Sequence, residues 1–274
     1  MLGWKQSIAV AIVVVSCFHS VSFAQTQKTK KKQRKSEMYF SWGYNKEWYT
    51  HSTIRVMQPS LGNDYKLVGV TAHDRPGWND GLFSKALSIP QYNYRLGFLV
   101  NRKKDLFFEI NFDHTKYIFE NQNVRIKGTF NGKATDAVVP FTDSTGSYYY
   151  LNNGANFLLF NLVKRWHIYE SGNKNFRLDG LGKAGIGPVV PHVENSFFGQ
   201  ANDPHFQVGG WNVGFEGAVR ATFFKYAYLE FANKVDYAGY SGLKIYQGKA
   251  RQMFGTYEMI LSIGVTLPTG KVIQ

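Results

Sequence analysis

The clearest regularity along the chain is a period of two. Between 253 and 267, Met253, Gly255, Tyr257, Met259, Leu261, Ile263, Val265 and Leu267 fall on one face, with Thr256, Glu258, Ser262, Gly264 and Thr266 on the other. Residues 226–238 set Ala227, Leu229, Phe231, Val235 and Tyr237 against Glu230, Lys234 and Asp236. Residues 211–223 set Trp211, Val213, Phe215, Val219 and Phe223 against Asn212, Glu216 and Arg220. Strict alternation with one apolar face predicts strands rather than helices. Eight such segments are expected, at 38–48, 90–100, 105–118, 154–168, 175–190, 206–223, 226–238 and 253–267.

The links between these segments differ sharply in length. Residues 101–104, 169–174 and 224–225 read as tight turns, whereas 49–89, 119–153, 191–205 and 239–252 are long. Short turns at one end and long loops at the other is the layout of a barrel that crosses a membrane with strands. The expected fold is therefore all-β: an eight-stranded antiparallel transmembrane β-barrel with short periplasmic turns and long extracellular loops. Strand-like stretches within the loops, at 65–72 and 124–130, predict strands that continue above the membrane.

Alternation also assigns the faces. Lipid is expected against Phe40, Trp42, Tyr44, Trp48, Tyr92, Tyr94, Leu96, Phe98, Phe108, Ile110, Phe112, Leu158, Phe160, Leu162 and Trp166. The lumen receives Glu47, Arg95, Glu109, Asp113, Arg165, Arg177, Asp179, Lys183, Glu216, Arg220, Glu230, Lys234, Asp236 and Glu258, which is near charge balance. An eight-stranded interior is only wide enough for side chains, so paired charges would close it and a porin role is disfavoured. A soluble lipocalin-like barrel is the alternative, but outward Trp and Phe at this density would aggregate in water.

Composition agrees: 16% aromatic residues and 27 Gly among 274 suit pleated walls and turns. A single cysteine excludes a disulfide framework and a Cys-based zinc site. The formal charge of +13 is concentrated at the amino terminus. Seven of the 32 bases lie within 1–35, which leaves 25 bases against 19 acids, or +6, on 36–274. Lys5, the apolar run at 8–15 and Ser22-Phe23-Ala24 predict a signal peptide over 1–24, cleaved after Ala24. Val14-Val15-Ser16-Cys17 offers a rival processing site that would lipidate Cys17. The expected organisation is then a basic periplasmic tether at 25–37, an outer-membrane barrel at 38–267 and a tail at 268–274. For an exported chain the expected partners are the barrel assembly machinery and outer-membrane lipopolysaccharide, with no nucleic acid.

Of six histidines beyond the signal, five (His51, His73, His114, His192 and His205) fall at the long-loop end, and His167 at the other. Solvated loop residues are the plain reading. A sharper one joins His51-Ser52, Asp113-His114-Thr115-Lys116 and Pro191-His192-Val193-Glu194. Imidazole nitrogens and a carboxylate from His51, His114, His192 and Glu194 would suit a divalent metal cation with a position open to water or dioxygen. Lys116 completes the candidate catalytic set. Alternation puts His114 and Lys116 on the lipid side near the outer rim, where they would meet lipid phosphates or simply snorkel. A Ser-His-acid lipid deacylase site is a further candidate, although adjacent His51 and Ser52 point to opposite faces of an extended chain.

In order along the chain, His51-Ser52-Thr53, FEINFDHTKY (108–117), LNNGANFLLFNLVKRW (151–166), GKAGIGPVVPHVEN (182–195) and HFQVGGWNVGFEGAVRATFFKYAYLEF (205–231) resemble a family of small Gram-negative outer-membrane barrel proteins of Bacteroidetes-type bacteria. More distantly they are similar to lipid A oxidases of rhizobia. That second resemblance implies oxidation of the proximal glucosamine of lipid A to 2-aminogluconate, with dioxygen and a divalent cation. The positions it picks out are His51 with Ser52, His114 with Lys116, Asn156, and His192 with Glu194. The chain departs from the oxidase pattern in its first loop, in its expanded 119–153 loop and at Asn153-Gly154. A non-catalytic barrel with a structural or loop-mediated binding role is the alternative.

Overall fold

All eight alternating segments form strands: β1 (Ser36–Tyr49), β2 (Tyr92–Asn101), β3 (Leu106–His114), β4 (Phe157–Glu170), β5 (Phe176–Val189), β6 (Gly210–Phe223), β7 (Ala227–Ile245) and β8 (Gly248–Thr269). The structure is a computed structural model that describes residues 36–78, 90–119, 121–152 and 154–269. The expected signal peptide with Cys17 and its cleavage site, tether residues 25–35, Asn153 and tail residues 270–274 lie outside the described residues. Each strand pairs antiparallel with the next, and β8 pairs with β1 from Ser36↔Thr269 to Tyr49↔Thr256, so the ring closes. Closure satisfies every strand edge internally, which lipid requires. Ser36 and Glu37, assigned to the tether by composition, already pair with Thr269 and Pro268.

Outward positions from β1 to β8 carry the apolar face. Two sets of exposed aromatics bound it, Trp166, Tyr169 and Tyr226 near the short turns and Trp48, Trp211, Tyr237 and Tyr257 at the far rim. This is the exterior of an outer-membrane barrel, an apolar band flanked by interfacial aromatic girdles.

The interior is filled by ions that pair across neighbouring strands. One inward row runs Lys183, Glu216, Lys234, Glu258 through directly opposed positions of β5 to β8. At mid-barrel, Arg95 Nη1 lies 2.7 Å from Glu216 and 3.0 Å from Glu230. Lys183 Nζ sits within 3.2 Å of Glu109, 3.0 Å of Glu216 and 2.8 Å of Glu230. Arg220 is 2.6 Å from Glu230, its guanidinium between the rings of Tyr39 and Tyr228 at 4.2 and 4.1 Å. Inward glycines make room for those rings: a Cβ at Gly97 would lie 2.1 Å from Tyr39, and one at Gly264 2.3 Å from Tyr228. Above this layer Lys234 contacts Asp113, Asp236 and Glu258. Below it Arg165 bridges Glu37 and Asp105. Of the expected inward charges only Arg177 is not buried, its side chain being 28% exposed.

The short turns fall at 102–105, 171–175 and 224–226. The expected long link at 239–252 is instead a continuation of β7 and β8, which pair up to Ile245↔Gly248 around a turn at Tyr246-Gln247. A bulge between Tyr240 and Leu243, with Gly242 at φ 67°, interrupts the alternation there. Three of the four extracellular links thus carry strands of their own, and the fourth is a hairpin tip.

Glu230 accepts from three cations, so its loss leaves buried charge unpaired. Glu230→Ala should destabilise the barrel by about 3–5 kcal/mol in denaturant unfolding from lipid vesicles, with a loss below about 1 kcal/mol showing that the network does not stabilise the ring.

Candidate functional site

Above the rim the two faces of the sheet exchange character. Inward positions of β7 and β8 become apolar at Ala238, Tyr240, Leu243, Ile245, Ala250 and Phe254, while outward positions become Lys244, Lys249 and Arg251. The exchange follows the change of solvent, since water rather than lipid now meets the outside. The top of β8 extends sideways through Ser52–Gln58, Asn63–Val70, Gln122–Phe130 and Lys133–Phe141 in that order. A second sheet of short strands, Tyr117–Phe119, Tyr148–Leu151 and His192–Phe197 with two two-residue strands, covers the other side. Phe119 and Phe141, stacked at 4.4 Å, join the two. Tyr117 stacks on Phe254 at 4.6 Å beneath them. The loops therefore close the ring with an apolar core.

Of the residues singled out by sequence, the structure brings His114 and Asn156 together, while Ser52 and His51 fall into other surroundings within this upper part. Ser52 is buried in a triangle with Tyr117 and Gln252: its Oγ is 3.0 Å from the Tyr117 hydroxyl, and Gln252 Nε2 donates to both at 2.9 and 2.6 Å. Burial pushes the Tyr117 hydroxyl up to about 12. His51 is exposed and faces away from Ser52, so the pair is not a nucleophile and its base. His114 does sit on the outward face of β3 but is covered rather than offered to lipid. Tyr92 stacks on its ring at 4.7 Å, and its Nδ1 lies 2.9 Å from Asn156 Oδ1. Asn156 is held there by the Ala155 amide donating to the Thr115 carbonyl at 2.7 Å and by its own Nδ2 donating to the Val190 carbonyl at 2.9 Å, with Gly154 at φ 122° and Asn156 at φ 39°. Lys116 is likewise buried, its carbonyl accepting from the Tyr49 hydroxyl at 2.9 Å. The expectation that His114 and Lys116 form a cationic pair facing lipid is corrected by this cover.

His192 lies in the second sheet with its ring 4.7 Å from Phe206, and burial holds its imidazole below the usual range. Glu194, two residues on, pairs with Tyr150. Among the described residues no group of three or more His, Cys, Asp or Glu side chains is placed to hold a metal ion. His51, His114, His192 and Glu194 are accordingly not assembled into one such group.

His51 instead lines an open groove of about 560 Å³ at the outer rim. Arg55, Lys66 and Arg251 supply its charge, and Val68 and Met253 an apolar floor just above the lipid-facing girdle. These cations belong to a larger surface, the outward face of the sideways sheet. Arg251, Arg55, Lys66 and Lys127 stand directly opposite one another on four adjacent strands, and Asp136 ends the row. The sequence reading passed over them. Their signal was the outward parity of Lys66, Arg125 and Lys127 in the two loop stretches already recognised as strand-like.

No family model matches the chain, and no curated protein does. Among solved structures it is similar to the attachment invasion locus protein Ail of Yersinia pestis, crystallised with the heparin analogue sucrose octasulfate, at 15% identity over 85% of this chain and 100% of that one, TM-score 0.32. It is also similar to the outer membrane protein OprG of Pseudomonas aeruginosa, at 11% identity over 87% of this chain and 99% of that one, TM-score 0.40. A third is the outer membrane protease OmpT of Escherichia coli, at 13% identity over 89% of this chain and 99% of that one, TM-score 0.33.

Separate surroundings predict separate energetics. His51→Ala and His192→Ala should be additive within about 0.5 kcal/mol in denaturant unfolding, with or without Mn²⁺. A coupling above about 1 kcal/mol that appears only with the cation would show that the two imidazoles share it.

Proposed function

We propose that this chain is a non-catalytic outer-membrane barrel that acts through loop-mediated binding at the cell surface. One observation carries the reading. The ring is filled by paired ions below the rim and by an apolar core above it, so the folded extracellular strands are the part of the molecule left to meet a partner. A packed core beneath those strands holds a binding face in one conformation, which lowers the ordering cost of association.

The lipid A oxidase reading needs all the residues that the resemblance picks out to share one site; His114 does meet Asn156, but what argues against a shared site is the surroundings of the others. His114 is held by Asn156 and Tyr92, Ser52 by Tyr117 and Gln252, and His51 stands in the rim groove. Lipopolysaccharide would surround the barrel as its outer leaflet rather than enter it as a substrate. Mass spectrometry of lipid A from cells with and without the gene tests this directly. The spectra should be identical, and an oxygen-sized gain on the proximal sugar in the expressing cells would restore the enzyme.

A further inference from the structure

Like charges directly opposite each other in a sheet are destabilising, so a row of them calls for a compensating partner. Arg251, Arg55, Lys66 and Lys127 make such a row, one cation per strand. At a strand spacing of about 4.8 Å it extends over roughly 15 Å. Arg55 is partly answered by Asp64, which accepts from its Nε at 2.9 Å and its Nη2 at 2.8 Å. Lys66, Lys127 and Arg251 are exposed and have no carboxylate within ion-pair distance among the described residues, with Asp64 and Asp136, engaged by Arg55 and Arg125, standing near Lys66 and Lys127. A second like-charge pair, Lys244 opposite Lys249, stands at the ring end of the same face.

We infer that this face binds a linear polyanionic glycan, a sugar chain carrying sulfate, phosphate or carboxylate groups at intervals of about one per residue. The inference rests on the loop-mediated binding role and names its partner. A regular row one strand apart matches a ligand whose charges repeat along a line. Exposed Val68 and Val138, in the neighbouring row with Arg125, offer apolar surface to the C–H faces of sugar rings.

Two other polyanions fit less well. An anionic lipid leaflet surrounds the barrel, and would be matched by cations spread around the rim. Here the upper parts of β5 and β6 and the link between them, 184–219, contain no lysine or arginine, so the cations are not spread evenly around the rim. Single-stranded nucleic acid is held by aromatic platforms as well as charge. The rows on either side of the cations, Val68, Arg125 and Val138 and then Lys249, Met57, Asp64 and Thr129, carry no aromatic ring.

The test uses the full chain in nanodiscs of zwitterionic lipid, with dextran sulfate as probe and neutral dextran as control, at about 0.15 M salt. The unaltered protein should bind dextran sulfate and not dextran. Lys66→Glu with Lys127→Glu should weaken binding at least tenfold, whereas Lys174→Glu with Lys225→Glu, the same change in net charge at the short-turn end, should leave it unchanged. Equal loss in both double variants, no loss in the first, or no binding by the unaltered protein would overturn the proposal. So would capture of anionic-lipid vesicles without capture of dextran sulfate. A separate reading tests the topology beneath it: Lys127→Cys should react with a membrane-impermeant maleimide on intact cells. Protection of that thiol would overturn the cell-surface role itself, whatever the nanodisc result.

Discussion

Everything in this molecule depends on a closed ring of eight strands that has lipid outside and too little room inside for a solvated lumen. Under that constraint an inward charged side chain cannot turn to water, so it must find its partner within the ring. The solution is the layer in which Arg95, Lys183 and Arg220 meet Glu109, Glu216 and Glu230. Three cations and three carboxylates share one space, and Glu230 touches all three cations. The rings of Tyr39 and Tyr228 fill what the ions leave, and they fit because Gly97 and Gly264 have no side chain to oppose them.

Above the rim the same strands obey the opposite rule and stay paired, apart from the bulge at Ser241-Gly242. β7 and β8 continue upward as one hairpin while their inward residues change from Lys234 and Glu258 to Tyr240 and Phe254, and their outward residues from Tyr237 and Tyr257 to Lys244 and Arg251. The loop strands join that hairpin, so the extracellular part is an extension of the wall rather than a set of loose connections. This rigidity is what makes a fixed row of cations possible on its outer face. It also explains why the charge of the body, +6 on 36–274, is not spread evenly over the surface.

Much of the fold was legible because period-two alternation is strongest where one face meets lipid, as in 253–267. It faded at 239–252, where the outward face turns cationic and the bulge at Gly242 shifts the parity, so a hairpin read as a loop. The histidines were harder to place. Their meaning depends on what folds over them, and no local pattern announces that Asn156 and Tyr92 cover His114. The cationic row was harder still. Its members lie far apart in sequence, at 55, 66, 127 and 251, and only the register of four strands brings them to one level.

A barrel filled in this way conducts nothing, and the account of its function starts from that closure. The most direct measurement is therefore the ionic current across a planar bilayer into which the purified full chain has been inserted. The packed interior predicts a flat baseline at moderate voltages, with no discrete steps as protein is added. Regular, reproducible steps of an open pore would contradict it, because a water-filled path could exist only if the ion layer and the apolar core above it were not packed as described.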